Sequence, residues 1–148
     1  MGSTESGTIG TELATFDRPR FERPIQLGVV ADPHVPINGT EHQKLFEPTT
    51  ILKRVVTDAT RQEVDYLFSL GDLTKDGDTE EYEVLDDVLD ALDVPFASVS
   101  GNHDVPKEFD PHEGLPVSRF ADRYTPKGLP FAIDIADLTV IGLDSASA

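Results

Sequence analysis

The residues of this chain that could do chemistry are Asp32, His34, Asp72, Asn102, His103 and Asp104. Asp32-Pro33-His34 offers a carboxylate and an imidazole one residue apart, and Pro33 stiffens the turn so that both can point to one side. Gly71-Asp72 sets a second carboxylate behind a glycine, while Gly101-Asn102-His103-Asp104 supplies an amide oxygen, an imidazole and a third carboxylate. Taken singly, D-x-H and Gly-Asp are ordinary turns, and a histidine in a turn can be purely structural. Gly-Asn-His-Asp is more specific. Asparagine is a rare metal ligand, and its neutral oxygen beside two carboxylates would limit the negative charge of a site, which helps an anion approach. The chain has no cysteine, which excludes disulfides and thiolate sites, so a metal here would be held by oxygen and imidazole.

The elements around these residues place all of them at strand ends. Ile25–Ala31 is a short apolar, partly β-branched run closing on Asp-Pro, as a buried strand does on entering a loop. From about Glu47 to Gln62, Leu52, Val55, Val56 and Ala59 recur at helical spacing, with Thr49 and Thr50 available as caps. Asp65–Leu70 is an aromatic and apolar strand ended by Gly71. A second helix opens at Thr79-Glu80-Glu81 and presents Tyr82, Leu85, Val88, Leu89 and Leu92 on one face, its first-turn acids suiting the positive helix end. Pro95–Ser100 is a third strand, terminated by Gly101. The order βαβαβ predicts right-handed crossovers and a parallel sheet with helices on its faces, whose ligands gather at the carboxyl ends of the strands. Three loops sharing one edge can then bring distant residues together.

Beyond Asp104 the chain is rich in proline, glycine and charge through Gly114, which predicts a surface loop near that edge. Phe131–Ile135 and Leu138–Leu143 read as two further strands joined by an Ala136-Asp137 turn. His42 lies in a polar stretch and reads as solvated, and His112 could reach a substrate from the loop. Asp76 and Asp78 read as a solvated charged turn. Residues 1–23 read as a flexible leader before one domain at 24–148.

The chain has 28 Asp and Glu against 12 Lys and Arg, for a formal charge of −16. That excess repels phosphate backbones and anionic lipid, so extended nucleic acid and membrane surfaces are not expected partners. Such acidity is similar to that of proteins from salt-loving archaea. No signal peptide and no apolar run of membrane-spanning length is present, which predicts a cytoplasmic protein. Asn38-Gly39-Thr40 is therefore read as a turn and not as a glycosylation acceptor.

The three motifs, in order and one βα unit apart, resemble the calcineurin-like metallophosphoesterase superfamily over about residues 25–145. Gly71-Asp72-Leu73-Thr74-Lys75-Asp76-Gly77, Glu80-Glu81-Tyr82 and Gly101-Asn102-His103-Asp104 are similar to its cyclic-nucleotide phosphodiesterase-like branch. The resemblance implies an α/β fold, the αββα sandwich, of which this chain supplies the N-terminal βαβαβ half with following strands. It implies two divalent ions (Mn, Fe or Zn), with Asp32 and His34 on one, Asn102 on the other and Asp72 bridging them. Two ions so held acidify a shared water into a hydroxide nucleophile. His103 would protonate the departing alkoxide, and Asp104 would orient or polarise His103.

The departures narrow the substrate. The superfamily's protein phosphatases carry an arginine after the GD motif and another before GNH, whereas this chain reads Thr74-Lys75-Asp76-Gly77 and Ser98-Val99-Ser100. A small phosphodiester or nucleotide is therefore expected. The family also completes its metal shell with later histidines, and no histidine follows His112. The domain thus reads as cut short at its C-terminus, with apolar surface exposed and the site completed by a homo-oligomer or a second chain. The alternative is a non-catalytic metal-binding or interaction module.

Overall fold

The structure, a computed structural model, describes residues 21–37, 47–106 and 115–146. His42, His112, the Asn38-Gly39-Thr40 turn and all but the last three residues of the expected leader lie outside the described residues. The elements run β1 (Leu27–Val30), α1 (Pro48–Arg61), β2 (Tyr66–Ser69), α2 (Thr79–Leu89), β3 (Phe96–Ser98), α3 (Val117–Tyr124), β4 (Phe131–Ile135) and β5 (Leu138–Gly142).

β1, β2 and β3 form a parallel sheet in that order, with Val30 opposite Ser69 and Ser69 opposite Ser98. Because the strand order advances in one direction, right-handed crossovers put both connecting helices on the same face, not one on each. There Leu52, Val56, Tyr82, Leu85 and Val88 are buried together with Phe120 and Tyr124 of α3. Strand alternation divides the sheet cleanly: Leu67 packs beneath α1, and its neighbours Tyr66 and Phe68 face the other way. On that second face lies the antiparallel β4–β5 hairpin, whose Phe131 and Ile135 pack on Phe68 and Ala97. The result is three layers, helices on a parallel sheet on a hairpin. Val29, Leu70, Ile141 and Leu143 remain 60–67 % exposed. No helix among the described residues is long and apolar enough to cross a membrane.

Local chemistry sets the element ends. α1 starts with Pro48 in its first turn, where a missing N–H costs nothing, and its N-cap Glu47 accepts a bond from Thr50 Oγ1 at 2.8 Å. The expected threonine caps therefore do not cap the backbone. α2 opens with a capping box between Asp78 and Glu81. α3 lies where the sequence patterning predicts no element: Val117, Phe120, Ala121 and Tyr124 follow Pro116 at helical spacing, but the proline- and glycine-rich run before them masks the period.

Candidate metal centre

The loop after β1 is laid against the loop after β2 by main-chain bonds. Asp32 N–H donates to Gly71 O at 3.2 Å, His34 N–H to Asp72 O at 3.0 Å and Val35 N–H to Leu73 O at 2.8 Å, and Lys75 N–H returns a bond to Val35 O at 3.0 Å. Within this ladder Asp32, His34 and Asp72 all adopt left-handed backbone, with φ of 51°, 44° and 50°. Such a conformation costs about 1–2 kcal/mol for most residues, and aspartate and histidine are among those that tolerate it best. Three strained residues joined by their own ladder mark a site that the surrounding structure over-determines. The Asp-Pro-His segment thus runs along the second loop with left-handed backbone on either side of Pro33, and it sets both side chains together.

The loops after β2 and β3 meet through glycine. Gly71 has φ 101°, and a Cβ placed on it would lie 2.7 Å from Gly101 N; a Cβ on Gly101 would lie 2.0 Å from Asp72 Oδ1. No side chain fits at either position, so the two loops approach backbone to backbone. His103 N–H then donates to Asp72 Oδ1 at 2.9 Å.

Of the expected site residues, His34, Asp72 and His103 come together, with Asp32 beside His34. His34 Nε2 lies 3.9 Å from Asp72 Oδ2 and 4.0 Å from Asp32 Oδ1, and the His34 and His103 rings meet edge to face at 4.7 Å between centroids. Donor atoms of His34, Asp72 and His103 all lie within 4.8 Å of one another. Asp72 is only 14 % exposed whereas Asp32 is 66 % exposed, which makes Asp72 the fixed centre of the group and Asp32 its outer arm. Asn102, between Gly101 and His103, is exposed. Imidazole with carboxylate is a donor set that suits divalent ions, so His34, Asp72 and His103 fit one. His103 also stands close enough to share an ion with His34 and Asp72.

Asp104 does not orient the His103 ring by contact. Its carboxylate is buried and saturated from elsewhere: Oδ1 accepts from Thr74 N–H at 2.9 Å and Thr74 Oγ1 at 3.0 Å, and Oδ2 accepts from Gly101 N–H at 2.9 Å. Burial pushes its carboxyl above the usual range, opposed by these N–H groups. Asp104 is a staple between the second and third loops. The ring nitrogen Nδ1 of His103 instead meets the carbonyl of Lys75 at 2.5 Å. A carbonyl can only accept, so Nδ1 carries the hydrogen and Nε2 is left as the working atom.

α2 supports both loops from its first turn. Glu81, buried at 2 % exposure, receives the N–H groups of Asp76, Gly77 and Asp78 on Oε2 at 2.7, 3.0 and 3.4 Å, and Tyr82 donates its hydroxyl to Asp104 O at 2.5 Å. Burial raises the Glu81 carboxyl, again against the pull of those N–H groups. Asp76 pairs with Lys75 at 2.6 Å and Asp78 caps α2, so neither is simply solvated. The signal for Glu81 was present in the sequence as Asp78-x-x-Glu81. From the hairpin, Asp144 Oδ1 lies 3.5 Å from Ser100 Oγ, tying the end of β5 to the third loop.

A histidine and carboxylate cluster at the carboxyl ends of a parallel sheet defines a candidate metal-dependent enzyme of the α/β class. The calcineurin-like phosphoesterase family model matches residues 25–145, and the chain belongs to that family. It is 30 % identical, over 86 residues, to a protein of Arcobacter nitrofigilis named probable glycerophosphodiester phosphodiesterase GpdQ, covering 55 % of this chain and 29 % of that one. Over 48 residues it is 35 % identical to a probable cyclic nucleotide phosphodiesterase of Xenorhabdus bovienii, covering 32 % of this chain and 19 % of the relative. The chain thus spans less than a third of either relative's length in these matches. It is also similar to the crystal structure of a dimetal phosphatase from Danio rerio, with a TM-score of 0.45 and 22 % identity over 54 % of this chain and 30 % of that one.

Proposed function

We propose that this chain acts as a metal-dependent hydrolase of small phosphodiesters, cyclic nucleotides among them. The convergence of His34, Asp72 and His103 donors within 4.8 Å, in a chain of this family, carries that reading. Asp32 and His34 would hold one ion, Asn102 a second, and Asp72 would lie between them. When bound, such ions acidify water and neutralise the charge that develops on a phosphoryl group. The chain's own residues do the rest. The ladder between the first two loops fixes the donors in advance. His103, with Nδ1–H spent on Lys75, has Nε2 free to take up a proton, and in that imidazolium form Nε2–H would protonate the leaving oxygen. The absence of arginine at residues 74–77 and 98–100 favours a diester over a monoester dianion, which would need more positive charge. The remaining coordination positions would be filled by water, by substrate, or by another polypeptide, a second copy included.

The test is hydrolysis of bis(p-nitrophenyl) phosphate with added manganese at high salt, with metal binding measured in parallel by calorimetry. Manganese-dependent turnover that falls on Asp72→Asn supports the hydrolase. Binding without turnover would instead favour a metal-binding module.

A further inference from the structure

The residue that ought to steer His103 is occupied elsewhere, and the geometry shows what takes its place. Lys75 C=O and Asp76 N–H belong to one peptide plane, and in a trans peptide the two point in opposite directions. The carbonyl end of this plane receives His103 Nδ1–H, and the N–H end, at 2.7 Å, is held by Glu81 Oε2. We propose that Glu81 is a positioning residue for His103, acting through the Lys75–Asp76 peptide as a relay from a buried carboxylate to the imidazole. This inference deepens the phosphodiesterase reading and takes from it the role of His103 as proton donor.

Three observations converge on the relay. Glu81 binds two further N–H groups, of Gly77 and Asp78, so the carboxylate that holds this peptide is itself anchored to the turn. Lys75 N–H is fixed separately to Val35 O, which pins the peptide unit immediately before it. A carboxylate on the N–H of a peptide polarises it and strengthens its carbonyl as an acceptor, which favours the Nδ1–H form of the ring. Tyr82, one residue on, grips Asp104 O and so holds the His103 loop at a set distance from the turn. One turn of α2 thereby fixes both partners of the bond.

The experiment is nitrogen-15 NMR of the imidazole groups in the metal-free full chain at a pH where His103 is neutral. His103 signals are assigned by their loss in His103→Gln. The relay requires that wild type show Nδ1 protonated and Nε2 bare. Glu81→Ala should shift His103 to a mixture with the Nε2–H form, and Glu81→Gln, which keeps an acceptor oxygen, should restore much of the wild-type pattern. A wild-type His103 in the Nε2–H form overturns the proposal, whether or not the variants fold. So does a folded Glu81→Ala protein with an unchanged tautomer. Neither readout needs turnover, so a chain that shows the relay but does not hydrolyse diesters would sink the hydrolase reading and leave the relay standing.

Discussion

The main-chain N–H of His103 donates to Oδ1 of Asp72, leaving Oδ2 of the same carboxylate facing His34 at 3.9 Å. One oxygen of Asp72 is thus oriented by the polypeptide while the other is turned toward the donor cluster. Asp72 is set before any ion arrives, as the bridging position proposed for it requires.

Asp72→Asn keeps the volume and an oxygen for the His103 N–H but removes the charge. Manganese affinity should fall by at least about tenfold, the scale already seen for partners one shell further out. Calorimetric titration of both proteins measures this, and thermal unfolding of the metal-free forms should show little change. Equal affinities would remove Asp72 from the centre.

Gly101→Ala forces a methyl group to within 2.0 Å of Asp72 Oδ1 and 2.3 Å of Asp72 N, where main chain blocks escape. Overpacking of this kind costs about 1–3 kcal/mol. Urea unfolding should register that loss, and metal affinity should drop with it because the second and third loops part. A variant as stable as wild type would show that the loops need not touch.

How much of this was legible in the sequence depends on the kind of force involved. β1, β2 and the β4–β5 hairpin follow from apolar patterning and from turn residues, which are local properties. Asp32, His34, Asp72 and His103 could be brought to one edge from strand order alone. The expected role of Asp104 failed because adjacency in sequence does not say where a carboxylate points; burial and the N–H groups of Thr74 and Gly101 captured it. The partner of His103, a carbonyl held by Glu81, depends on a peptide orientation that no residue type announces. Both helices lie on one face for a similar reason, since that outcome depends on strand order and not on any helix sequence.

The raised carboxyl of Asp104 gives a pH signature in metal-free protein. An acid whose folded pKa stands above its unfolded value contributes most to stability below that unfolded value, near 3.8, and loses the contribution as pH rises through the folded pKa. Asp104→Asn cannot titrate. The stability difference between wild type and the variant, from urea unfolding in EDTA, should therefore move against wild type as pH increases from about 3.8 upward. A constant difference, or one of opposite slope, contradicts the assignment.

Replacing His103 by alanine should separate substrates by leaving group. Loss of a positioned general acid costs about 10²–10⁴-fold in rate where the departing alkoxide needs a proton. With p-nitrophenolate, which departs without one, the loss should be much smaller. Equal losses on alkyl and nitrophenyl diesters would show that His103 acts as a ligand to an ion and not as the acid.

In the proposed centre, Asp32, His34, Asp72 and Asn102 hold two ions that share Asp72. Electron paramagnetic resonance of the manganese-loaded chain tests it most directly, because two Mn(II) ions bridged by one carboxylate couple magnetically. A coupled spectrum that disappears in Asp72→Asn is the predicted result. An isolated six-line spectrum unchanged by that substitution would contradict the account.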